Sequence, residues 1–345
     1  LMSVSKSNAY GHSLVDFSKE IEKLGADWIG VDSVVEAITL REESVKIPIL
    51  VLGYTLPEML EKASDLNISL SVSTFETLNA IEQSNFSKKL KIHIKVDTGM
   101  HRQGFQGEEM ESVIEKIKKL IDLGKIELEG IFTHFAEAKN PESPHKTLEQ
   151  LSVFKEWTDT FSQAGFSPIK HACASGGALI FSQAHFDMVR MGISMYGIYP
   201  SKEAESFSKN KVDIKPILSW RTIMGEVKKV PKGDSVGYDF TEEFKRDSVI
   251  AVCPVGYWHG YPRALSGISY VLVKGVRAKI LGRISMDMIV IDVTDVQNPT
   301  VGDVVTLIGD DGNESVTAVE LADLMGGSPY ELITRLNPLI KRIYV

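Results

Sequence analysis

Residues 2–25 read MSVSKSNAYGHSLVDFSKEIEKLG. A short apolar run ends at a lysine, a polar and glycine-containing loop follows, and then apolar residues recur at helical spacing from Leu14 to Leu24. That is one strand, one loop and one amphipathic helix. The same alternation continues. Strand patterns lie at DWIGVD (27–32), IPILVLG (47–53), ISLSVS (68–73), KIHIKVD (91–97), LEGIFTHF (128–135), IKHACAS (169–175) and DMVRMG (187–192). Helical patterns lie between them, the last a short one in GGALIFSQ (176–183). Strands separated by helices pair in parallel, and eight such units in about 200 residues fit a closed (β/α)8 barrel. No GxGxxG turn favours an open doubly wound sheet.

The texture changes after residue 211. Residues 217–239, 248–257, 268–293 and 304–317 are β-rich, with KG and GDDGN turns between them. This predicts an α/β chain of two domains, a TIM-type barrel over 1–211 and a mostly antiparallel β domain over 212–345. One helix is expected near the end, in TAVELADLMG (317–326). The first residues already read as a buried strand, so the natural chain is expected to begin upstream of Leu1.

Composition narrows the function. The 345 residues are 43% hydrophobic and 24% charged, with a formal net charge of −8 and no concentrated Lys/Arg stripe. Nucleic acid is an unsuitable partner for such a surface. No run of 18 apolar residues spans a membrane. Cys173 and Cys253 stand far apart with no CxxC spacing, which fits a reducing cytoplasm.

A barrel places its chemistry at the carboxyl ends of its strands. Lys6 then ends strand 1, Lys95 and Asp97 end strand 5 with Arg102 after them, and His134 ends strand 6. His171 and Ser175 lie in and after strand 7, and Arg190 ends strand 8. Each alone has an ordinary reading as a solvated lysine, a core histidine, a helix cap or a rim ion pair. Their convergence on one rim argues for a site. A lysine at such a mouth can form a Schiff base with a carbonyl cofactor, and pyridoxal phosphate (PLP) requires one. The loop Met191-Gly192-Ile193 offers backbone N–H groups for a phosphate, while Ser175 and Tyr10 offer hydroxyls.

These blocks resemble the alanine racemase family. KSNAYGHS (6–13), KVDTGMHRQG (95–104), GIFTHFAEA (130–138), RMGISMYG (190–197), SVGYDF (235–240), VGYWHGYPR (255–263) and GRISMDM (282–288) resemble family blocks in the family's order. The resemblance implies PLP on Lys6, which also acts as one base, with Tyr238 as the second base and His134 as its hydrogen-bond partner. It implies Arg190 at the pyridine nitrogen, and Tyr10, His171, Ser175, Gly192 and Ile193 among the cofactor contacts. Arg102, Tyr257 and Met286 would meet the substrate, and Lys95 is the position that some members carry as a carbamate. It further implies a cytoplasmic homodimer with shared sites, racemising alanine for the bacterial cell wall. A racemase of another small amino acid such as serine, a decarboxylase of the same architecture, and a PLP carrier are the competing readings. Ala174, His101 and Pro338 depart from the family pattern. The last falls about where some members place a phosphate-binding tyrosine.

Overall fold

The computed structural model describes residues 1–345. Contacts divide the chain into two units, Leu1–Ala9 with Ser13–Lys215, and Tyr10–His12 with Pro216–Val345.

The first unit holds eight strands: β1 Met2–Val4, β2 Trp28–Val31, β3 Ile49–Val51, β4 Ser69–Val72, β5 Leu90–Lys95, β6 Ile126–Phe132, β7 Ile169–His171 and β8 Arg190–Met191. All neighbours pair in parallel in the order β7-β6-β5-β4-β3-β2-β1-β8. The β7–β8 seam has no ladder. Single bonds from Asp187 N–H to Lys170 O and from Arg190 N–H to Cys173 O, 3.0 and 2.9 Å, bridge it. The expected (β/α)8 barrel is therefore present and nearly closed.

Alternation sorts the strand residues onto two faces. Ile29, Val31, Ile49, Val51, Leu70, Val72, Ile92 and Ile94 join the apolar layer under the helices, with Leu40, Leu60, Leu78, Ile117 and Phe154. Met2, Trp28 and Leu50 form a separate small cluster with Met188. Fully buried apolar side chains of this size each contribute about 1.5–3 kcal/mol, so the outer layer carries most of the barrel's stability.

Three expectations need correction. Arg190 opens β8 rather than ending it, because that strand is only two residues long. A helix that the sequence pattern did not suggest, Lys202–Ser208, follows β8, and its Ser201 cap accepts from Ala204 N–H. Residues Ser7–Tyr10, read as loop, form a left-handed turn with φ between 51 and 57°. L-residues rarely adopt this conformation, so it must be held from outside. Glu36 accepts from Ser7 N–H at 2.8 Å, and Asn8 Oδ1 accepts from Leu14 N–H at 2.8 Å.

The second unit is an antiparallel sheet. Its strands are β9 Trp220–Ile223, β10 Glu226–Val230, β11 Ser235–Val236, β12 Glu242–Glu243, β13 Ser248–Cys253, β14 Tyr270–Val273, β15 Val276–Leu281, β16 Ile289–Asp292, β17 Val304–Asp311 and β18 Glu314–Val316. The main order is β10-β13-β16-β15-β14-β17-β18, with β9 on β17 and β11 paired to β12. Lys274 and Gly275, at φ 50 and 76°, make the β14–β15 hairpin turn. Two helices close this unit, Ala318–Leu324 and Pro329–Thr334, where the sequence suggested one. Gly11 belongs to this unit. A Cβ there would lie 1.9 Å from Ile333 O, so no other residue fits.

Candidate active site

The carboxyl mouth of the barrel gathers four cations. Lys6 follows β1 and pairs with Asp32 at 3.3 Å. Lys95, the last residue of β5, is 5% exposed and donates to Gln103 Oε1 at 2.7 Å. Arg102 sits on the loop after β5. Asp97 Oδ1 shapes that loop by accepting the N–H groups of Gly99, Met100 and His101. Arg190 reaches across from β8. Burial, then Arg102, Arg190 and Lys6, hold the Lys95 ammonium down at about 8. Burial and the same group of cations keep His134 well below the usual imidazole range, so its ring is neutral. Lys95, Asp97, Arg102, Gln103, Thr133 and His134 line a cleft at this mouth.

Arg190 is 3% exposed and spends its two terminal nitrogens on the barrel. Nη1 donates to His171 O at 3.0 Å and His171 Nδ1 at 2.8 Å. Nη2 donates to Thr133 O at 2.7 Å, Ala172 O at 2.8 Å and His134 Nδ1 at 3.3 Å. Its Nε–H makes no protein hydrogen bond. Burial holds this guanidinium down at about 10, so it stays charged at neutral pH. An arginine donates only, so His134 Nδ1 accepts and the His134 proton sits on Nε2.

A cluster of N–H groups stands beside these cations. Ser175, buried at the start of the helix Ser175–Ile180, accepts from Gly192 N–H at 2.9 Å and Ser194 N–H at 3.3 Å. Ile193 is buried and starts the turn Ile193–Tyr196.

The remaining sequence-predicted residues lie in the second unit. Tyr10 packs its ring 6.2 Å from that of Tyr330. Burial pushes the Tyr10 phenol up to about 12, which keeps it a neutral donor. Tyr330, which the sequence did not single out, lies eight residues before Pro338. It follows the Ser328 cap and the N1 proline Pro329 that open the helix Pro329–Thr334. Tyr238 projects from a turn with Gly237, Asp239 and Phe240 at positive φ, and is 67% exposed. The Tyr257–His259 turn is pinned to the Met286 loop, through Tyr257 N–H to Ser285 O and Trp258 N–H to Met286 O at 3.0 and 2.9 Å. Tyr257 and Met286 are exposed.

A cationic mouth, a free Nε–H on a buried arginine and the buried Ser175 hydroxyl at the Gly192–Ser194 turn suit an anionic aromatic group with a phosphate, a basic ring nitrogen and a carbonyl that a lysine can capture. PLP has all three, and the class is that of PLP-dependent barrel enzymes.

Comparison with known proteins is consistent with this. The family model "Alanine racemase, N-terminal domain" matches residues 1–200, and "Alanine racemase, C-terminal domain" matches 217–344. The alanine racemase of Methanococcus maripaludis is 40% identical, over 100% of this chain and 91% of that protein. Alanine racemase 1 of Oceanobacillus iheyensis is 38% identical with the same coverages. The crystal structure of the Bacillus anthracis alanine racemase with bound L-Ala-P superposes with a TM-score of 0.90 at 35% identity. That match covers 97% of this chain and 86% of that one. The chain belongs to the alanine racemase family.

Proposed function

We propose that this protein interconverts L- and D-alanine by a two-base mechanism in which Lys6 serves one face of the substrate and Tyr238 the other. The observation that carries the reading is the mouth itself, with Lys6 among Lys95, Arg102 and Arg190 and the neutral His134 beside them.

PLP, when bound, supplies a conjugated electron sink that acidifies the α-proton of an amino acid joined to it. Lys6 Nζ would hold the cofactor and afterwards take or return the α-proton. Ser175 and the Gly192 and Ile193 N–H groups, with the Tyr10 and Tyr330 phenols, would hold its phosphate. Arg190 Nε–H would donate to its ring nitrogen. Because arginine keeps its proton, that nitrogen stays an acceptor, which restrains delocalisation and favours return of the proton to the α-carbon over decarboxylation or transamination. His171 supports Arg190 rather than touching the cofactor, since both of its ring nitrogens are already engaged. Arg102 would orient the substrate carboxylate, with Tyr257 and the Met286 N–H at the entrance.

A phenol with a pKa near 10 is a weak base at neutral pH. His134, with its proton on Nε2, can donate to the Tyr238 oxygen and stabilise its phenolate. Lys95 becomes a neutral amine near pH 8, the form that adds carbon dioxide and releases a proton. The resulting carbamate would turn a cation beside Arg102 into an anion that orients it.

The active form we propose is a homodimer in which the partner subunit's Tyr238 completes each site. The exposure of Tyr238, Tyr257 and Met286 supports this. We place it in the cytoplasm, consistent with two unpaired cysteines, supplying D-alanine for cell-wall synthesis. The deciding assay incubates the PLP-loaded protein with single enantiomers of a panel of small amino acids and follows optical rotation. Alanine should racemise fastest; a preference for serine would reassign the substrate, and loss of carbon dioxide would make it a decarboxylase.

A further inference from the structure

Behind Arg190 a chain of buried polar groups runs through the barrel interior, away from the mouth. His171 Nε2 lies 2.9 Å from His93 Nδ1, and His93 Nε2 lies 3.2 Å from Glu129 Oε2. Glu129 also accepts from Ser69 Oγ at 2.5 Å and pairs with Lys91 at 3.4 Å. His93 and His171 have no solvent exposure. Burial comes first among the causes that hold both imidazoles below their usual range, so both are neutral. Burial works against the charge on Glu129. The hydrogen bonds from His93 and Ser69 and the nearby Lys91 outweigh it and keep the carboxyl below its usual range.

The sheet is built around this chain. The β5–β6 register shifts between Ile92 and His93. Gly130 stands opposite, where a Cβ would lie 2.1 Å from His93 Nδ1. The Phe132 ring stacks on His171 at 4.8 Å, and Trp28 meets His93 edge-on at 5.3 Å.

Donor and acceptor rules leave one proton arrangement. Arg190 Nη1 donates, so His171 Nδ1 accepts and its proton is on Nε2. His93 Nδ1 then accepts, and its proton is on Nε2. Glu129, a carboxylate, accepts that proton's hydrogen bond and ends the chain. No carboxylate lies within ion-pair distance of Arg190, whose partners are three carbonyls and two imidazoles. If His171 carried its proton on Nδ1 instead, two donors would face each other at 2.8 Å and Arg190 would have to leave its carbonyls.

We propose that His93 and Glu129 are positioning residues which, by fixing the tautomer of His171, hold Arg190 with its Nε–H directed to the cofactor site. This rests on the reading of Arg190 as the partner of the cofactor ring nitrogen. It adds that the orientation is set from about three side chains away, on the far side of the barrel interior from the chemistry.

The test uses the PLP-loaded protein with 15N-labelled histidine. Proton–nitrogen correlation spectra should show both His171 and His93 neutral and protonated on Nε2. His171 protonated on Nδ1, or either ring charged at neutral pH, would overturn the proposal while leaving wild-type racemisation, and so the reading of the site, intact. Kinetics give a second readout, and its Glu129 arm does not depend on a His93 variant folding. His93→Phe and Glu129→Leu should each lower kcat/KM about tenfold or more and give mixed His171 tautomers. Glu129→Gln keeps an acceptor and should recover most of the loss. A Glu129→Leu protein with wild-type kcat/KM, or a Glu129→Gln protein as impaired as Glu129→Leu, would contradict it.

Discussion

The two units present their reactive groups in opposite ways. The barrel buries Lys95 and Arg190 to 5% and 3% exposure and ties each to named partners. The β unit holds Tyr238, Tyr257 and Met286 at 67, 43 and 55% exposure, on turns whose backbones are pinned while these side chains face outward. The mouth of the barrel is organised within one chain, at the cost of crowding cations that push one another toward neutrality. The β unit leaves a set of aromatic and thioether side chains exposed. Catalysis by two opposed bases needs both kinds of group. The comparison is why the proposed active form pairs the mouth of one chain with the exposed turns of a second.

The sharpest way to break that comparison is to disable the units separately. Lys6→Ala and Tyr238→Phe should each be inactive in racemisation, with losses of about 10²–10⁴-fold or more. Mixing the two proteins under conditions of subunit exchange should restore part of the activity, because one hybrid site receives both bases. Absence of rescue after verified exchange would mean that each chain builds its own site.

A smaller effect measures the crowding. The Lys95 amine is charged in the unfolded chain up to its usual 10.5, but in the folded protein only up to about 8. Between those values the unfolded state binds more protons, so stability rises with pH across that interval. At 1.4 kcal/mol per unit, the gain is up to about 3 kcal/mol. Urea unfolding in buffers free of carbon dioxide should show wild type gaining on Lys95→Met by this amount from pH 8 to 10.5. A difference that does not change with pH would mean that Lys95 is solvated.

The outer barrel was legible in the sequence because the helices carry apolar stripes and the strands carry short apolar runs, unbroken in Ile49–Val51 and alternating in Ile92 and Ile94 around His93. The rim lysines, arginines and histidines could be placed because the barrel rule assigns them one end. The interior chain was not legible. His93 and Glu129 sit at alternating positions that look like ordinary strand polarity, and nothing local says that His93 meets His171 across 78 residues of sequence and Glu129 across 36. The left-handed turn at Ser7–Tyr10 was equally hidden, since none of its residues is a glycine and it is pinned by Glu36 from another βα unit. Tyr330 was hidden because its ring meets that of Tyr10, 320 positions earlier in the chain.

The most direct test of the central claim is α-proton exchange by the Tyr238→Phe variant, followed by NMR in heavy water with each enantiomer of alanine. The substitution removes only a hydroxyl from an exposed ring, so cofactor binding should survive. Lys6 alone should then exchange the α-proton of D-alanine and return D-alanine, while exchange of L-alanine and racemisation nearly vanish. Equal exchange of both enantiomers would show that one base serves both faces. Undiminished racemisation would remove Tyr238 from the mechanism altogether.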